Sequence, residues 1–202
     1  VPTEAFLGKS QAGSYGDFVM ETDWAIGQVV AALKKKDFYE DTLIIVTSDN
    51  GSSPGGFPIS EEKQFAHLTS LIYKGRKSHT YEGGHRVPFI ATWPARVEAS
   101  TISPAIVCLT DLLATVAGIL NVELPDNAGE DSVSFLPCLK GRHQDASLRE
   151  SVVHHSLNGL FCLRQNHWKM IFGKGHGGFQ SIKEPVSKDP VQLYDLDKDV
   201  GE

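Results

Sequence analysis

The stretch Thr42-Leu-Ile-Ile-Val-Thr-Ser-Asp-Asn-Gly51 decides how this chain reads. Leu43 to Val46 is an unbroken apolar run rich in β-branched residues, the pattern of a strand buried on both faces. The run stops at Ser48-Asp49-Asn50-Gly51, so polar groups gather at the carboxyl end of the strand, where open α/β sheets bind their ligands. The Asp49 carboxylate and the Asn50 amide carbonyl are oxygen donors suited to a hard cation. Asp-Asn-Gly is equally a turn signature, because Asn and Gly tolerate positive φ. By itself the stretch leaves both readings open.

Working outward, residues Phe18, Val19, Thr22, Ile26, Val29, Val30 and Leu33 recur at three- and four-residue steps and predict a helix from Tyr15 to Lys36. Lys34 to Lys36 complement the dipole at its end. A helix, a short turn and a buried strand make one half of a βαβ repeat. Downstream, Val87-Pro-Phe-Ile-Ala-Thr-Trp93 reads as a second buried strand with Pro88 confined to its start. Residues 106–120 predict an apolar helix with Asp111 as its entry cap, ended by Gly118 and Pro125. Between the strands lies Lys77-Ser-His-Thr-Tyr-Glu-Gly-Gly-His-Arg-Val-Pro88. Lys77 is a point charge suited to an anion, and equally an ordinary surface lysine. Gly83-Gly84 marks a sharp turn whose backbone conformations are closed to other residues. His67 reads as an ordinary, partly exposed histidine.

A second character begins near Glu150. Ser151 to His155, Gly159 to Arg164, His167 to Phe172 and Gln192 to Leu196 are short β-like runs separated by turns, predicting an antiparallel meander. The division falls at 1–145 and 146–202. Gly173 to Gly178 is glycine-rich, but it follows a hairpin strand and opens no helix, so it is not a nucleotide-binding loop.

Composition narrows the function classes. With 41% hydrophobic and 22% charged residues the chain is an ordinary globular one. A net charge of −6 and the lack of a basic stripe exclude a nucleic-acid partner. No apolar run is long enough to span a membrane. The three cysteines, Cys108, Cys138 and Cys162, are too few and too scattered for a disulfide framework or a zinc site. Cys108 and Cys162 are expected as buried fillers.

Taken together, Thr42 to Gly51 followed by Lys77-x-x-x-Tyr-Glu-Gly-Gly-x-Arg-Val-Pro88 resembles the sulfatase family, of the arylsulfatase A and N-acetylgalactosamine-6-sulfatase type. The resemblance extends to Gly13-x-Tyr-Gly-Asp17, Asp23-x-x-x-Gly27, Thr110-Asp-Leu112, Asp131 to Pro137 and Leu193 to Leu196. It implies the C-terminal half of an alkaline-phosphatase-like α/β/α sandwich with a small C-terminal antiparallel β subdomain, and hydrolysis of sulfate monoesters. It implies that Asp49 and Asn50 bind a divalent cation, calcium with magnesium as the alternative, and that Lys77 is the catalytic lysine that contacts the sulfate. His85 is a substrate-binding candidate, whereas Glu82 and Arg86 are expected to shape the loop. The partner is expected to be a sulfated small molecule or sulfated glycan, in a periplasmic, secreted or lysosomal setting.

The chain departs from the family in that the paired N-terminal aspartates of its metal site are absent, and so is its nucleophile motif. The formylglycine nucleophile of sulfatases arises in a Cys/Ser-x-Pro-x-Arg motif, and Cys108, Cys138 and Cys162 all have the wrong neighbours for it. With Val1-Pro2-Thr3 at one end and Gly201-Glu202 at the other, the sequence is expected to be a fragment whose nucleophile lies outside it. Such a fragment is expected to be inactive alone and to self-associate through exposed apolar faces. A related phospho- or phosphonate hydrolase and a degenerate, non-catalytic binding module are the alternatives.

Overall fold

The computed structural model describes residues 2–53, 59–141, 148–179 and 189–202. Helix α1 (Gly13–Lys35) leads through a turn into strand β1 (Ile44–Thr47). Helix α2 (Ile59–Phe65) and the single-turn α3 (Glu82–His85) precede β2 (Phe89–Thr92). A 3₁₀ turn at Leu109–Asp111 opens α4 (Leu112–Leu120), and α5 (Leu136–Leu139) follows. The chain ends in β3 (Ser151–His155), β4 (Phe161–Gln165), β5 (Trp168–Ile171) and β6 (Gln192–Asp195).

The last four strands form the expected antiparallel meander in the order β3-β4-β5-β6. Its alternation is clearest on β5, where Lys169 and Ile171 are buried and Trp168 faces outward. Cys162 and Ile171 meet Tyr81 in a small apolar core, with Leu160 and Tyr194 against it. Burial pushes the Cys162 thiol up to about 12, so it is an inert filler.

Strand β1 corrects two expectations. It pairs with β2 antiparallel, from Ile44↔Thr92 to Thr47↔Phe89, rather than entering a parallel βαβ unit. The cause is the chain path into β2. The Gly83-Gly84 turn lies back against the end of β1, and Gly51 donates to the Gly84 carbonyl at 2.9 Å. Nor is β1 buried on both faces: Ile44 to Val46 are half-buried and Thr47 is exposed. The described residues offer too little apolar cover, and the helix face that should supply it is also open. Trp24 and Val29 on α1 are 53% and 58% exposed.

Two further details differ. Asp111 does serve the helix entry, but as a buried hub: its carboxylate accepts from the Cys108 and Val133 N–H groups and pairs with Arg149. Helix α4 runs through Gly118 and ends at Asn121, whose left-handed backbone (φ 54°) caps it. Among the described residues, eleven buried side chains are polar or charged against seven apolar ones, so hydrogen bonding organises this interior more than apolar packing does.

Candidate active site

Two backbone hydrogen bonds assemble the site. Lys77 N–H donates to the Ser52 carbonyl at 2.9 Å, and Gly51 N–H to the Gly84 carbonyl. Together they clip the end of β1 to both ends of the segment 77–85. Three glycines make this approach feasible. A Cβ at Gly51 would strike the Gly83 carbonyl, one at Gly83 the Gly75 carbonyl, and one at Gly84 the His79 carbonyl. Neither Gly83 nor Gly84 has a positive φ, so they are needed for close approach and not for an unusual conformation.

The result is a cleft of about 300 Å³ lined by Asp49, Asn50, Lys77 and His85, with His154, His155, Leu157 and Phe179 from the C-terminal sheet and its loops. All four residues singled out in the sequence line this one cleft. The Asn50 amide nitrogen donates to the Gly51 carbonyl at 3.0 Å, and among the described residues its side-chain oxygen accepts no hydrogen bond. Among the described residues, neither the Asp49 carboxylate nor the Lys77 ammonium makes an ion pair. Ser78, next to Lys77, holds a φ of 83°. It is fixed there because its carbonyl accepts from Leu157 N–H at 3.0 Å and its hydroxyl from Phe179 N–H at 3.2 Å.

Behind the cleft lies a buried ionic cluster. Glu82 is fully buried and pairs with Lys169 at 3.0 Å, Arg164 at 3.0 Å and Arg86 at 3.3 Å. Lys169 also pairs with Glu202 at 2.7 Å. Burial alone would raise the Glu82 carboxyl, but Lys169 and the cations around it reverse this and bring it down to about 2. Burial likewise raises Glu202. His85 packs on His154 with ring centroids 3.9 Å apart. Burial and the nearby Lys169 hold His85 well below the usual histidine range and bring His154 down to about 4. Both rings are therefore neutral near pH 7.

Sequence reading missed this cluster. One signal was available: in the Trp168-Lys-Met-Ile171 run, the two-residue period puts Lys169 on the same face as Ile171. A lysine in an inward register requires a buried carboxylate partner. Nothing in the sequence named Glu82 as that partner, 87 residues away.

The geometry and the pattern of residues point the same way as comparison with known proteins. Residues 2–122 match the family model described as Sulfatase. This chain belongs to the sulfatase family. An N-acetylgalactosamine-6-O-sulfatase of Bacteroides thetaiotaomicron is 34% identical across all of this chain and 40% of its own length. Human steryl-sulfatase is 35% identical over 98% of the chain and 36% of its own length. A solved structure from a study of glycosaminoglycan metabolism by B. thetaiotaomicron superposes with a TM-score of 0.83 at 31% identity, over all of this chain and 42% of its own. A Pseudoalteromonas sulfatase structure gives 0.78 at 28% identity, over 98% of this chain and 40% of its own. The sulfatase chain thus has the alkaline-phosphatase-like α/β fold of the family, and it spans about 40% of the length of the relatives it matches.

Proposed function

We propose that the cleft is part of a site that hydrolyses sulfate monoesters, with Lys77 contacting the sulfate, His85 beside it, and Asp49 and Asn50 holding a divalent cation. The supporting observation is that these four residues, from two separate segments, line one cleft. A sulfate ester places negative charge on its oxygens, and that charge shifts toward the leaving oxygen as the ester breaks. Lys77, which makes no ion pair among the described residues, can stabilise such charge without first giving up one of those contacts.

The donor set suits a hard cation in kind. The Asp49 carboxylate and the Asn50 carbonyl are adjacent oxygen donors, and the Asn50 amide is turned by its bond to Gly51. They are two of the roughly six to eight oxygens that calcium takes. Among the described residues no group of three or more His, Cys, Asp or Glu side chains is placed to complete the shell. A calcium or magnesium ion held there would supply positive charge to the sulfate oxygens and orient the attacking group. The formylglycine implied by the family resemblance has no source motif in this sequence, so no step is assigned to it.

The names of the relatives carry the substrate class: a sulfated sugar such as 6-O-sulfated N-acetylgalactosamine, or an aryl sulfate. The test offers the full-length protein carrying this sequence an aryl sulfate, the sulfated sugar and an aryl phosphate. Sulfate release with little phosphate release is the expected outcome. Preferential cleavage of the phosphate would contradict it.

A further inference from the structure

Lys169 is wholly buried, so no water is available to its ammonium. That group has three N–H donors. Glu82 Oε1 accepts one of them at 3.0 Å, and Glu202 Oε1 lies 2.7 Å from the ammonium as an ion-pair partner. Among the described residues the remaining acceptor is Nε2 of His85, at 3.1 Å. The same ring nitrogen lies 3.0 Å from the carbonyl of Thr80, a fully buried residue. One nitrogen cannot both accept from Lys169 and donate to Thr80.

The two arrangements leave different groups unsatisfied. With the proton on Nε2, a buried ammonium N–H loses that acceptor. With Nε2 bare, a neutral carbonyl loses one bond. An unmade buried hydrogen bond costs about 1–3 kcal/mol for a neutral group and more for a charged one, so the bare Nε2 wins. Surrounding charge acts in the same direction. Lys169, Arg164 and Arg86 face Glu82 and Glu202, three cations against two anions, and a further positive charge on His85 would meet net repulsion. With Nε2 held from behind, Nδ1, which makes no hydrogen bond among the described residues, is the ring's polar atom left for the cleft.

We propose that Lys169, on the C-terminal sheet, is a positioning residue: by donating to Nε2 it fixes His85 as the tautomer whose Nδ1–H meets an oxygen of an anionic ligand in the cleft. The identity of that ligand rests on the sulfate-ester reading above; the tautomer does not.

Long-range proton–nitrogen correlation spectra of the ¹⁵N-labelled 202-residue chain at neutral pH test this, with the His85 signals identified by their loss in His85→Gln. Wild type is expected to show a neutral ring with a protonated Nδ1 and a bare Nε2. In Lys169→Met the proton is expected to move to Nε2, where the Thr80 carbonyl accepts it. A protonated Nε2 in wild type overturns the proposal, as does a tautomer unchanged in the variant. Should Lys169→Met fail to fold, the wild-type spectrum decides alone. A full-length protein that releases no sulfate yet shows the Nδ1–H tautomer removes the ester reading and supports the positioning role. An active protein with Nε2–H removes the positioning role only.

Discussion

The cleft wall and the ionic cluster behind it are built from the same residue types and treat them in opposite ways. Lys77 and Lys169 are both lysines within reach of one short segment, residues 77–85. Lys77 borders the cleft and makes no ion pair among the described residues. Lys169 is wholly buried, donates hydrogen bonds to Glu82 and His85, and forms an ion pair with Glu202. The carboxylates divide in the same way: Asp49 is exposed and makes no ion pair among the described residues, while Glu82 meets three cations. Groups with satisfied partners hold geometry, and groups without them are available to a ligand. We propose that stability lies with the cluster and chemistry with the cleft.

The largest expected effect separates the two lysines by stability. Lys169→Met removes a cation from two buried carboxylates, Glu82 and Glu202, and should cost about 3–5 kcal/mol, the typical loss on breaking a buried pair. Lys77→Met should stay within about 0.5 kcal/mol of wild type. Urea unfolding of both variants measures this, and equal losses would break the comparison.

Acid titration of stability should give the next effect. Glu82 sits at about 2 when folded against an ordinary value near 4.5, so its contribution of about 3 kcal/mol is present above pH 4.5 and fades as pH falls toward 2. His154 acts earlier. Its folded value of about 4 lies below the ordinary 6.5, so the unfolded chain takes up the proton first and stability drops between pH 6.5 and 4. Glu202, raised by burial, opposes part of this loss. His85, held low by burial and Lys169, lowers stability in the same direction, so His154→Phe should reduce the slope of the upper segment and leave the Glu82 segment in place. A curve unchanged by that substitution would remove His154 from the account.

How much of this was legible in the sequence follows from how local each signal is. The four-stranded meander was readable because alternation and turn residues lie within a few positions of one another. Asp49, Asn50 and Lys77 stood out through motif pattern, and the structure brings them to one cleft. The partner of β1 was not readable, since an apolar run does not say which strand comes beside it or in which direction. Lys169, Arg164 and Glu202 escaped notice for the same reason: their meeting with Glu82 is a tertiary contact between distant segments. Gly83 and Gly84 were recognised, but for the wrong physical reason. They clear space for the Gly75 and His79 carbonyls.

The smallest expected effect concerns the cation. Two oxygens from Asp49 and Asn50 should bind calcium only weakly in the 202-residue chain, because about six or more are needed for a tight site. Calorimetry should show no micromolar binding, and Asp49→Ala should abolish whatever weak heat remains. Micromolar affinity would mean that other groups complete the shell.

The central claim is that the uncommitted lysine of the cleft serves a sulfate ester. Its most direct test is the rate of aryl sulfate hydrolysis by the full-length protein, comparing wild type with Lys77→Ala and with Lys198→Ala, whose side chain is 83% exposed and does not line the cleft. Loss of about 100-fold or more in Lys77→Ala, the scale of removing one charge-stabilising donor, with Lys198→Ala unchanged, is the predicted result. Equal rates in wild type and Lys77→Ala would contradict the account.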